Sequence, residues 1–432
     1  MISPFSYPDV PPVQIPDANF LAALVPSEIE PPQPVETLVE EALDHPIRSS
    51  RVEEHVSAST RVLILVDDTT RQTPALNLLP SLFRRLEQRG CPRQNVKILI
   101  AAGTHARMGP QQIEQKLGPR IPHEYPVLIH HWKAEENLRS IGETADGTPI
   151  RVHRLLGESD LVIGVGQIVP HRVMGYTGGC TIVQPGVCGG EVTGYTHWKS
   201  ALYSGQEILG IADNPVRQEV EQIARRAGLQ FILNVVMDGQ HRVIHVVAGD
   251  PVAAHREGTK YSRDIYGVRQ PDLADIVVVE SYPTDIDLWV AAKGIYAAEL
   301  AVRDGGVVIL VSPCTQGVAP EHPDVERLGY HDLSVVQSML ARKEIADVAA
   351  AAHLVHVGRV IRQRARGIMV SPGIDTQTQR HLGFEPANTP QEALEWAFGL
   401  AGPLAKVVVL RQGGHILPVV ERGERQRVKG KA

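Results

Sequence analysis

Three histidines, His105, His171 and His197, are the residues of this chain best suited to chemistry, together with Arg71, the acid pair Asp67-Asp68 and the glycine turn Gly178-Gly179. His171 stands ten residues before Thr181 and His197 sixteen after it, within PHRVMGYTGGCTIVQPGVCGGEVTGYTHWK, residues 170–199. Turn formers and aromatics flank both, without apolar periodicity, so the segment reads as loops and helix ends facing a cleft. Imidazole, with an ordinary pKa of about 6.5, takes and returns a proton near neutral pH. The histidines would suit zinc hydrolysis around an open position, although no HExxH pair is present. Acyl transfer would need an activated nucleophile, and Cys180 and Cys188 lack a nucleophile-elbow context. A third arrangement gives one histidine to a metal and uses two as general bases on opposite faces of a substrate, which would invert a stereocentre.

The elements around these residues read as open α/β layers. A β-branched run, Arg61 to Val66, leads into Asp67-Asp68-Thr69-Thr70-Arg71-Gln72-Thr73-Pro74 and then a helix from Leu76 to Gln88. Carboxylates, hydroxyls and an arginine between a strand end and a helix start mark a ligand-binding turn. Asn95 to Ala102 repeats the pattern before Gly103-Thr104-His105, and Leu161 to Gly166 repeats it before His171. In a mostly parallel sheet the three strand ends share one edge, so these groups converge. Downstream, Asn214-Pro215 reads as a helix start continuing to Ala227, and Asp238-Gly239 as a hairpin turn. A second alternation follows the charged stretch Arg269 to Asp275. Its expected strands are 276–279, 306–311, 354–357, 367–370 and 407–410, and its expected helices 286–302, 333–349 and 390–398. Lys293 lies in an apolar stretch of the first of these helices, where it either snorkels to the surface or meets an anion in the cleft. The expected fold class is therefore two α/β domains with mostly parallel sheets and an interdomain active-site cleft. The divisions are a proline-rich extended arm (1–34), an N-terminal domain (35–270), a C-terminal domain (271–415) and a tail (416–432).

A chain of 432 residues exceeds what one core usually organises. Its net charge of −6 argues against general nucleic-acid binding, and the basic run Arg422 to Lys431 reads as a solvated end. Four cysteines without CxxC spacing indicate neither a disulfide framework nor a thiolate zinc site, and a reducing cytoplasmic location is expected. No signal-like or membrane-length apolar run is visible, so no membrane partner is expected, while an oligomer is compatible with the sequence.

Taken together, four segments resemble the nickel-dependent lactate racemase family: DDxTRxTP at Asp67 to Pro74, GTH at Gly103 to His105, PHxxxGxxGG at Pro170 to Gly179, and the downstream His197. Their order and spacing cover most of the first domain. The resemblance implies a nickel pincer nucleotide, a pyridinium mononucleotide holding nickel through two sulfurs and a carbon, with His197 as the protein's metal ligand. It further implies that His105 and His171 are the paired acid/base residues and that Arg71 and Lys293 hold the substrate carboxylate. Asp68, Thr69 and the Thr177-Gly178-Gly179 turn, with Thr181, are the expected cofactor contacts. The implied reaction is reversible hydride removal from C2 of a 2-hydroxy acid through a planar 2-keto acid. The family also implies dedicated maturation enzymes as partners.

Two departures stand out. The family's GGxK lysine, joined to the cofactor through a thioamide, is replaced here by Thr181, whose hydroxyl cannot form that bond, so noncovalent holding is expected. The family's glutamine three residues before the substrate lysine is Val290 here. Arg172 adds a cation beside His171 and makes a dicarboxylic substrate, malate, the leading expectation, ahead of lactate. The rivals are a hydrolase or lyase working with zinc or without metal, and a noncatalytic binder of the nickel nucleotide.

Overall fold

The computed structural model describes residues 1–105 and 107–421. The basic run Arg422 to Lys431 therefore lies outside the described residues. The strands of the two main sheets, in chain order, are β1 (Phe20–Leu24), β2 (Val62–Asp67), β3 (Val96–Ala101), β4 (Val127–Ile129), β5 (Leu161–Gln167), β6 (Phe231–Met237), β7 (Val243–Gly249), β8 (Ala274–Glu280), β9 (Val302–Val311), β10 (Ala365–Val370), β11 (Phe384–Pro386) and β12 (Val407–Leu410). The first sheet runs β7-β6-β5-β2-β3-β4 and the second β11-β10-β9-β8-β12-β1. Every pairing in them is parallel except β6 with β7. Central strands buried on both faces need continuous apolar runs, which is how VLILVD and VVVL read.

Five helices bear on the site: α1 (Ala75–Gln88), α2 (Gly190–Ala201), α3 (Pro215–Ala227), α4 (Leu288–Ala301) and α5 (Val348–Gly358). The Asn214 side chain caps α3, accepting from the Val216 and Arg217 N–H groups, and Gly228 ends it in the left-handed region. In α4 almost every residue is buried, so this helix runs through the interior with its lysine enclosed. Helices α2 and α5 carry the contact between the two halves. A Cβ on Gly194 would lie 2.9 Å from Val348 Cβ, so the absent side chain permits the approach.

Several expectations change. The proline-rich arm is structural: β1 forms the edge of the second sheet, and Phe5, Tyr7, Val13 and Ile15 join that sheet's core. Leu417–Val420 pairs in parallel with Gly267–Gln270, so this stretch is a strand where a tail was expected. Residues 354–357, expected as a strand, belong to α5, and the expected helix 333–349 stops at Ala341. A short apolar run has the same burial in a helix as in a strand; here the preceding alanines and the Asp347 cap settle the choice. Among the described residues no helix is long and apolar enough to cross a membrane.

Replacing Gly194 with leucine should force α2 and α5 apart and cost about 2 kcal/mol by overpacking. Urea denaturation should show a lower midpoint with an unchanged slope.

Candidate active site

The C-terminal ends of β2, β3 and β5 and the α4 and α5 faces of the second half enclose a cavity of about 1130 Å³, counting its open mouth. Asp68, Arg71, His105, His171, His197 and Lys293 all line it. Ligands collect at this edge in open α/β sheets because strand ends and helix starts leave polar groups there.

The turn after β2 is braced from below. Buried Lys116 pairs with Asp67 at 2.7 Å and donates to the carbonyls of Asp68 (3.1 Å) and Arg71 (2.9 Å). Asp68 accepts from Thr70 and lies 2.7 Å from His105 Nδ1. Burial opposes ionisation of Asp68, but His105, Arg71 and Thr70 outweigh it and hold the carboxyl below the usual range. A carboxylate can only accept, so Nδ1 of His105 carries the proton and Nε2 presents a lone pair.

His171 has the opposite tautomer. Its Nδ1 accepts from the Val173 N–H at 3.3 Å, which leaves the ring proton on Nε2. Burial first, then the charges of Arg71 and Lys293, push its pKa well below 6.5. His197, on α2, donates from Nδ1 to the Thr193 carbonyl at 2.8 Å, so its Nε2 lone pair is free. Burial pushes its pKa down to about 4. A ring fixed through one nitrogen with the other left bare is the arrangement of a metal-ligating imidazole.

Lys293 is enclosed on α4, and burial and the neighbouring Arg71 lower its pKa. Among the described residues, neither Lys293 nor Arg71 sits in an ion pair; the Arg71 side chain donates only to Thr70. Two adjacent cations without a carboxylate partner favour an anionic ligand. Opposite them, Gly178 and Gly179 take positive φ (77° and 58°), and a Cβ on Gly178 would lie 2.9 Å from the Gln167 carbonyl. Asn234 accepts from the Gly179 N–H at 2.7 Å, and the Thr181 hydroxyl donates to the Gly178 carbonyl at 3.0 Å. Buried Arg217 donates to the Met174, Tyr176 and Gly178 carbonyls beneath the turn.

The structure thus gathers both expected acid/base histidines, the expected metal ligand, both carboxylate cations, and Thr177, Gly178 and Thr181 around one cavity. Thr69 and Gly179 do not line it; Gly179 serves through its bond to Asn234. The Asp68 carboxylate, expected on the cofactor, is committed to His105 and Thr70. Arg172, expected at a second substrate carboxylate, also lines the cavity, but its guanidinium is engaged by backbone and by a neighbouring acid. Its guanidinium donates to the Ser200 and Tyr203 carbonyls and lies 3.7 Å from Glu299, with its side chain 1% exposed. The lone spacing of Lys116 and Asn234 from the motifs concealed their roles, as it did those of Trp289, Tyr296, His353 and His356 on the far wall. Val290 lines that wall too, where the related pattern has an amide.

Residues 9–208 match the sequence model of the lactate racemase N-terminal domain, and residues 269–417 that of the lactate racemase C-terminal domain. The chain is 30% identical over 285 residues to a lactate racemase of Thermoanaerobacterium thermosaccharolyticum, covering 65% of this chain and 66% of that one. It is 29% identical over 387 residues to a lactate racemase of Lactiplantibacillus plantarum, covering 87% and 89%. The structure of the T. thermosaccharolyticum lactate racemase apoprotein superposes with a TM-score of 0.82 at 26% identity, covering 97% of this chain and 99% of that one. A Thermotoga maritima protein shares the fold, with a TM-score of 0.75 at 23% identity over 91% and 100% of the two chains.

Neutral buried imidazoles make stability depend on pH. The folded pKa values of His130, His153 and His197 lie near 4, below the unfolded value of about 6.5, so the unfolded chain binds more protons in between. Stability should therefore fall as pH drops from 6.5 toward 4, each such ring contributing up to about 1.4 kcal/mol per pH unit. Urea midpoints at pH 7.5, 6.5 and 5.5 should show the fall, with a shallower one in His197→Gln.

Proposed function

The chain belongs to the lactate racemase family, and we propose that it racemises or epimerises a 2-hydroxy acid in the cavity between its two halves. The observation that carries this reading is the pair His105 and His171, fixed as opposite tautomers on one cavity with two unpaired cations between the same walls. His105 presents a lone pair that takes the substrate hydroxyl proton, and Asp68 stabilises the imidazolium that results. His171 presents an N–H that hydrogen-bonds the substrate oxygen from the other side, and the proton held by His105 returns to that oxygen as the opposite enantiomer forms. Arg71 and Lys293 anchor the carboxylate while its neighbouring carbon changes geometry. Trp289, Val290 and Tyr296 wall the cavity and keep water from the reacting carbon.

The residues fit a nickel pincer nucleotide. His197 offers a single bare imidazole nitrogen, and no group of three His, Cys, Asp or Glu side chains among the described residues could hold a metal by itself. One protein donor suits a metal that brings its remaining ligands with it. His197 would ligate the nickel, and the Thr177-Gly178 backbone with Thr181 would hold the nucleotide without a covalent bond. When bound, that group supplies reversible acceptance of hydride from C2.

Arg172 lines the cavity but spends its guanidinium on the Ser200 and Tyr203 carbonyls, which favours Arg71 and Lys293 as the carboxylate anchors. A dicarboxylic acid such as malate would have to divide Arg71 and Lys293 between its two carboxylates, whereas lactate engages both with one.

Protein made with the cofactor pathway should carry nickel and a nucleotide that separate on denaturation from a chain of unmodified mass. It should invert 2-deuterated lactate or malate in ordinary water with the deuterium retained. Loss of deuterium to solvent would replace the hydride reading with simple deprotonation, and turnover without nickel would favour the hydrolase or lyase class. Nickel and nucleotide without inversion of any 2-hydroxy acid would leave a carrier. His105→Ala and His171→Ala should each lower kcat by about 10² or more, as measured by chiral chromatography.

A further inference from the structure

The residue beside the acid/base histidine His171 sits in a buried charged network that the reaction scheme does not use. Arg172 donates to the Ser200 carbonyl at 3.4 Å and the Tyr203 carbonyl at 2.6 Å. Arg359, which follows α5, donates to the same Tyr203 carbonyl and to that of Ala201 at 2.6 Å. Two guanidinium groups, one from each half of the chain, thus meet at the C-terminal end of α2 and the residues just after it. Cations at a helix C-terminus are favoured by the backbone dipole as well as by these bonds. Helix α2 carries His197.

The second connection runs to α4. Glu299 lies 3.7 Å from Arg172 Nε, and its other oxygen accepts from the Gly205 N–H at 3.0 Å. Both side chains are nearly inaccessible, 1% and 4% exposed. A Cβ on Gly205 would lie 2.4 Å from the Glu299 carboxylate, so only glycine leaves room for it. The same helix carries Lys293, six residues earlier. His356 on α5 adds a bond to the Ser200 hydroxyl at 3.0 Å. Arg172 is therefore joined by covalent sequence to His171, by hydrogen bonds to the end of the His197 helix, and by charge to the Lys293 helix.

We propose that Arg172 is a positioning residue which, with Glu299 and Arg359, locks the acid/base, metal-ligand and carboxylate-anchor elements into one body across the two halves. The proposal rests on the racemase reading for its catalytic consequence, but its structural content does not depend on turnover. A carboxylate receptor would act on one substrate class through KM. A lock acts on the geometry in which every substrate reacts, so its loss appears in kcat for all of them.

The experiment uses the cofactor-loaded full chain and the variants Arg172→Lys, Arg172→Met, Glu299→Gln and the Arg172→Met/Glu299→Gln double. Arg172→Lys keeps the charge and loses the fork of donors, so it should fold and show kcat lowered about tenfold or more for lactate and malate alike, with KM within about twofold. Arg172→Met strands the Glu299 carboxylate, and Glu299→Gln in that background should recover part of the lost thermal stability. Hydrogen–deuterium exchange should rise in residues 200–205 and in α4 together. A selective rise of KM for malate with kcat spared would overturn the proposal and return Arg172 to the substrate. Additive stability losses, or faster exchange confined to residues 170–174, would also overturn it. If the wild-type chain inverts no 2-hydroxy acid, the racemase reading fails, while exchange and the stability cycle still decide the lock.

Discussion

Burial of the imidazoles is the constraint on which the rest of this structure depends. An enclosed histidine ionises with difficulty, and His171, His197, His353 and His356 all have pKa values pushed down chiefly by loss of solvent. A neutral ring has one donor and one acceptor, so the neighbour on the first nitrogen decides what the second presents to the cavity. On the racemase reading, Asp68 fits His105 to act as a base, the Val173 N–H leaves His171 an N–H to donate in a hydrogen bond, and the Thr193 carbonyl leaves His197 a bare nitrogen for the metal. Three copies of one side chain acquire three tasks through three backbone or carboxylate partners.

Those partners are held in turn by charges that never reach the cavity. Lys116 under the Asp67 turn donates to the Asp68 and Arg71 carbonyls, and Arg217 under the glycine turn to those of Met174, Tyr176 and Gly178, which fixes both loops. The cost of burying such cations is offset by satisfying every carbonyl they meet. Arg71 and Lys293 meet Asp68 and Asp287 only at longer range, without an ion pair among the described residues, and this arrangement suits an anionic ligand.

Much of this was legible in the sequence because strand ends are marked twice. The β-branched runs of β2, β3 and β5 stop where Asp68, His105 and His171 begin, and parallel pairing brings such ends to one edge. Asn214-Pro215 and Asp238-Gly239 likewise announced a cap and a hairpin by their local chemistry. What escaped was set by tertiary burial. Residues 354–357 have the same apolar signature in either conformation, and they are helical as the continuation of the helix that Asp347 caps and that packs against α2. β1 resembled a loose arm because its pairing partner, β12, lies nearly 400 residues away. Arg172 read as a substrate cation and Lys116 drew no reading, since nothing local records that Glu299 will meet the one or that a helix will turn the other inward.

The threonine at position 181 gains its meaning from the same logic. A covalent tether holds a cofactor by removing its freedom to leave, and a rigid cradle reaches part of that end by paying the ordering cost before the ligand arrives. Here the Thr181 hydroxyl closes on the Gly178 carbonyl, Asn234 fixes the Gly179 N–H, and Arg217 ties three carbonyls beneath them. A lysine at this place would reach into the cavity, which Thr181 already lines. On the noncovalent reading the turn is preorganised without it, and the hold on the nucleotide passes from one bond to the shape of the backbone and to the nitrogen of His197.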